Sequence, residues 1–93
     1  MEKLFIVFRS EEDIIQFVNV CCGYDDAIDI RVGKMCTDAK SILGMLLLKT
    51  GETLEIEYEC YDSEDNYRQF KEEILQKFDV TVKQEPEKKA TAI

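Results

Sequence analysis

The chain contains no histidine. A zinc site that needs an imidazole is therefore excluded, and the cysteines do not replace it. They stand at positions 21, 22, 36 and 60, with no CxxC pair among them. We read all four as reduced thiols, mostly small buried hydrophobes. Cys21 and Cys22 are adjacent and must point to different sides of any regular element. Basic charge is scarce as well, since 12 Lys and Arg against 20 Asp and Glu leave a net charge of −8. A surface of that sign does not suit phosphate backbones or anionic lipid. Long apolar runs are missing too. Leu4-Phe5-Ile6-Val7-Phe8 is cut off at once by Arg9-Ser10-Glu11-Glu12-Asp13, which argues against a signal peptide. The run from Ile42 to Leu48 is too short to span a bilayer. The expectation is a cytosolic, acidic protein with no membrane, nucleic-acid, metal or cofactor role.

What is present suits one small globular domain: 93 residues, of which 45% are hydrophobic. Residues 3–8 read as a strand, with Leu4, Ile6 and Phe8 on one face and Phe5 and Val7 on the other. Ser10 then opens a helix, with Asp13 at the capping-box position and three acids at the positive end of the helix dipole. Ile14, Val18 and Cys21 make its buried stripe, and Gly23 is expected just past its end. After an Asp25-Asp26 turn, Ile28, Ile30 and Val32 alternate with charged residues as a half-buried strand. A Gly33-Lys34 hairpin leads to a short return strand, 35–38.

The stretch Asp38-Ala39-Lys40-Ser41-Ile42-Leu43-Gly44-Met45-Leu46-Leu47-Leu48 organises the rest. Ser41 is a good N-cap, so a short helix is predicted from 42 to about 47. Gly44 weakens that helix but lets a neighbour pack closely. Its apolar side chains cannot all face inward, so part of them should form an exposed patch beside Ser41. Thr50-Gly51 makes a turn. In 53–60, Leu54, Ile56, Tyr58 and Cys60 alternate with Glu55, Glu57 and Glu59, giving a core face and an acidic, solvated face. Asp62 or Ser63 caps a last helix, 63–78, with Tyr67, Phe70, Ile74 and Phe78 toward the sheet. Val80 and Val82 add at most a short extended segment, and 84–93 reads as a disordered tail. The order β-α-β-β-α-β-α predicts an α/β (α+β) open-faced sandwich. It would have a four-stranded antiparallel sheet with three helices on one face, over residues 1–83.

This order resembles HPr, the small phosphocarrier of the bacterial sugar phosphotransferase system. Ala39-Lys40-Ser41-Ile42-Leu43-Gly44 looks like the family's Lys-Ser-Ile-Met/Leu-Gly segment around its regulatory serine. Tyr24-Asp25, the Gly33-Lys34 hairpin (slightly offset from the serine), Lys49-Thr50-Gly51 and Asp62 also find counterparts. The resemblance covers residues 1–80. It implies a site that this chain has lost. Counting back from Ser41 places Ser10 where the family has its phosphate-accepting histidine, Glu12 where it has an arginine, and Asp13 where it has a proline. With no histidine, phosphohistidine transfer is chemically excluded, and no catalytic residue or enzymatic activity is expected. Ser10 reads as a helix cap.

The resemblance further implies that Ser41 is a target for HPr kinase, and that Ile42, Leu43 and Leu46 belong to a partner-binding surface. The expected partners are therefore proteins, such as HPr kinase or a regulator of the catabolite-control type, and the chain itself is expected to be a monomer. Glu12 reverses the charge that partners of the family meet, so a partner of this chain should differ. Two other readings stand beside the regulatory module. One is a phosphoryl carrier with a non-histidine acceptor, Ser10 or Glu12. The other is an acidic binding domain that shares only the fold.

Overall fold

The computed structural model describes residues 2–60 and 64–84. Within them the chain forms β1 (Glu2–Val7), α1 (Glu11–Cys22), β2 (Ala27–Val32), β3 (Met35–Asp38), α2 (Ile42–Met45), β4 (Thr53–Glu59), α3 (Glu64–Lys77) and β5 (Asp79–Gln84). All strand pairs are antiparallel, and the sheet order is β3-β2-β4-β1-β5.

Strand alternation decides which side chains meet the helices. Leu4, Ile6 and Phe8 of the first segment, Ile28 and Ile30 of β2, and Leu54 and Ile56 of β4 are all buried. They pack on Ile14, Phe17, Val18 and Cys21 of α1, Met45 of α2, and Phe70 and Ile74 of α3 in one core. Phe17 sits at its centre, with ring centroids 5.3 Å from Phe8, 6.2 Å from Phe70 and 5.6 Å from Phe78, all edge-to-face. The other face of the sheet carries Lys3, Phe5, Asp29, Arg31, Glu55 and Glu57. Ion pairs cross it, among them Lys3–Glu55 at 3.7 Å and Arg31–Glu57 at 2.7 Å.

The predicted sandwich is present, with one strand more than expected. The segment around Val80 and Val82 is a full strand, β5, paired with β1 over six residue pairs from Glu2↔Gln84 to Val7↔Asp79. The sheet therefore has five strands rather than four, the order ends in a strand rather than a helix, and Gln84 belongs to β5 rather than to a tail. The rest of the expected tail, 85–93, lies outside the described residues, as do the cap candidates Asp62 and Ser63.

Four smaller expectations need correction. The helix predicted over 42–47 stops at Met45, and Leu46–Leu48 turn the chain toward β4. Gly23 is the C-cap of α1 itself, in a right-handed conformation with φ −81°, and not a left-handed residue beyond it. The β4 ladder ends where Glu59 pairs with Ala27, so Cys60 falls outside the strand and is exposed. Of the cysteines only Cys21 is buried; Cys22, Cys36 and Cys60 are exposed. The hairpin turn is as expected, with Gly33 at φ +61°, a conformation that favours glycine.

Candidate functional site

The approach to Ser41 is built from short-range backbone bonds. Past β3, the Ala39 N–H donates to the Ile28 carbonyl at 2.9 Å, extending the β2–β3 ladder, and the Ala39 methyl is buried. Asp38 then turns the chain. Its Oδ1 accepts from the Lys40 N–H at 2.9 Å and its carbonyl from the Ser41 N–H at 3.0 Å. Lys40 folds back, its ammonium donating to the Tyr24 carbonyl, while its own carbonyl lies 3.9 Å from the Cys22 thiol. These contacts fix the entry to α2 against the C-terminal end of α1.

Ser41 caps α2. Its Oγ accepts from the Gly44 N–H at 3.4 Å, and its carbonyl from the Met45 N–H at 2.9 Å. Gly44 lets α2 pack closely on β3. A Cβ there would stand 3.1 Å from the Thr37 methyl on β3. Met45 is the one side chain of α2 that is fully buried. Ile42 is 37% exposed, Leu43 78% and Leu47 84%. Leu46, assigned to the partner surface with Ile42 and Leu43, is half-buried and packs on the core. Leu47 is the most exposed apolar side chain among the described residues, and Ile15 on α1 and Met35 on β3 are exposed as well. The signal for Leu47 was its place four residues after Leu43, obscured because the helix has already ended there.

The turn after α2 is tied to the other candidate position. The Gly51 N–H donates to the Phe8 carbonyl at 2.8 Å, two residues before Ser10. Ser10 caps α1 in an extended conformation, its Oγ accepting from the Asp13 N–H at 3.3 Å. The Asp13 carboxylate reaches back to the Arg9 N–H at 3.0 Å, one residue beyond the N-cap N–H that a capping box usually engages. Glu11, Glu12 and Asp13 fill the first turn, and the Arg9 guanidinium is turned to Asp79 at 2.6 Å. The start of α1 thus presents a capped hydroxyl among carboxylates. An incoming phosphoryl group meets negative charge there, with Glu12 where the resemblance puts a cation.

Among the described residues no group of three or more Cys, Asp or Glu side chains is placed to hold a metal ion. No helix there is long and apolar enough to cross a membrane. Burial pushes the Cys21 thiol well up, so it stays protonated inside the core.

The architecture is an open-faced β-sandwich of the HPr type in fold, with an exposed serine capping its short middle helix. The crystal structure of HPr-C-His from Thermoanaerobacter tengcongensis is similar to it in fold. The two share 19% identity, with a TM-score of 0.64, over 84% of this chain and 94% of that one. No protein-family model matches the sequence, and no curated protein does.

Proposed function

We propose that this chain is an HPr-like interaction module of a bacterial cytoplasm, unable to carry phosphohistidine and switched by phosphorylation of Ser41. The observation that carries this reading is the α2 surface, where an exposed hydroxyl stands directly before Ile42, Leu43 and Leu47, the last two among the most exposed apolar side chains. Apolar side chains held on a packed turn suit capture of a partner protein. A phosphate on Ser41 would add about two negative charges at the rim of that patch and change which partner fits. Asp38 stands three residues before Ser41, and the Lys40 ammonium is engaged with Tyr24. The modified site would therefore draw its neutralising cations from the partner. A phosphocarrier role through Ser10 is disfavoured by the same standard, because that hydroxyl is a helix cap and the carboxylates of Glu11, Glu12 and Asp13 in the same turn repel a phosphoryl group.

The test is incubation of the purified chain with an HPr kinase and ATP, followed by intact mass and peptide mapping beside a Ser41→Ala control. The expected result is one added phosphate that the control lacks. No addition would reduce Ser41 to a helix cap.

A further inference from the structure

The sheet ends at β5, and among the described residues this strand forms the longer of the two sheet edges. It pairs with β1 through six consecutive residue pairs with no bulge, so one row of its backbone groups faces β1 and the other faces outward. The opposite edge, β3, is four residues long and runs directly into the turn before α2. Proline is absent from β5, and its side chains alternate cleanly. Val80 and Val82 lie opposite Ile6 and Leu4 on the helix-covered face, where they remain only half-buried. Asp79, Thr81 and Lys83 lie on the open face.

We propose that β5 is a self-association edge, which pairs antiparallel with β5 of a second copy to make one continuous ten-stranded sheet. The argument is self-complementarity. A two-fold axis normal to the sheet keeps each residue on its own face, so β5 must pair in a register that matches open-face with open-face residues. Centring the axis on Thr81 sets Val80 opposite Val82 and Asp79 opposite Lys83, and symmetry repeats both pairs. Every apolar side chain then meets an apolar one, and every charge meets its opposite. Centring on Val82 instead sets Lys83 against Thr81 and Val80 against Gln84. Centring on Val80 sets Asp79 against Thr81. Among these three registers only the first uses both charges. A second copy is the occupant because the strand is its own complement. The joint is small, so the dimer is a concentration-dependent one.

Sedimentation velocity of the full chain over a concentration series reads the association. A monomer–dimer equilibrium is expected. Lys83→Asp should raise the dimer Kd by about tenfold or more, because two attractive pairs become repulsive. Asp79→Lys combined with Lys83→Asp should return it to within about threefold of the original. Since Asp79 also holds Arg9 and the Lys83 ammonium lies 5.4 Å from the Phe5 ring centre, a variant-free measurement accompanies these. Mixed-label NMR of the unaltered chain should show intermolecular contacts between Val80 and Val82 methyls. A monomer at every concentration overturns the proposal. So does a dimer indifferent to Lys83→Asp, a double variant as weak as the single one, or a dimer without Val80–Val82 contacts.

Discussion

Three tyrosines each end on a carboxylate. Tyr24 donates to Glu73 at 2.9 Å, Tyr58 to Asp26 at 2.7 Å, and Tyr67 to Glu2. The phenols are held protonated, with Tyr24 pushed up to about 12, first by burial and then by its Glu73 bond. The three bonds are not equivalent. Asp26 is only 6% exposed, whereas Glu73 also accepts from Lys77 at 2.8 Å and Glu2 from Lys71 at 2.9 Å. Removing the donor from Asp26 leaves a charge with little access to water. Tyr58→Phe should therefore cost about 1–3 kcal/mol in urea unfolding, and Tyr24→Phe clearly less. The sequence shows Asp25-Asp26 as a turn but not which carboxylate is buried. That choice depends on Tyr58, brought alongside by the pairing of Ile28 with Tyr58 across β2 and β4. Cys60 illustrates the reverse error. Its place in the alternation is right, but the ladder stops one residue before it.

Among the elements, α1, β2 and β4 were legible because each carries a full period of apolar residues on one face. The end of α2 was not, since an unbroken apolar run has no period and reads alike as helix or turn. The whole of β5 was harder still. It follows α3 after a single residue, holds two valines among polar neighbours, and owes its existence to β1, more than seventy residues away. The contact between α2 and β3 allows a direct test of why Gly44 is there. Alanine in a helix is favoured over glycine by about 1 kcal/mol, but here its Cβ would press on the Thr37 methyl at 3.1 Å. Gly44→Ala alone should give no net stabilisation. In a Thr37→Ser background, where the methyl is gone, the same change should stabilise the fold by up to about 1 kcal/mol, and the thermal midpoints of the four proteins complete the cycle.

At the scale of the whole molecule, the net charge of −8 is distributed unevenly in its effect on stability. Tyr67 and then Lys71 hold Glu2 below its ordinary value of 4.5. Its contribution is full above that value and is lost as the pH falls through the lower folded value. Asp29 behaves oppositely. It lies between Asp38 and Glu57 on neighbouring strands, and burial first, then Asp38, Glu57 and Glu59, raise it above 3.8. Charged Asp29 therefore costs stability at neutral pH, and the cost disappears as the pH falls through its raised value toward 3.8. Asp29→Asn should have a higher urea midpoint than the parent at pH 7 and lose that advantage on acidification to 3.8. Glu2→Gln should start below the parent and converge on it as the pH drops under 4.5.

The pairing of β1 with β5 has a mechanical consequence. Glu2 and Gln84 face each other at the same end of the six-pair ladder, and the strands run in opposite directions. Tension applied through these two residues would load the pairs one after another, beginning with Glu2↔Gln84, and not all together. The strands would part as a zipper opens, at low force, and β5 would peel from the sheet before β2, β3 and β4 felt the pull.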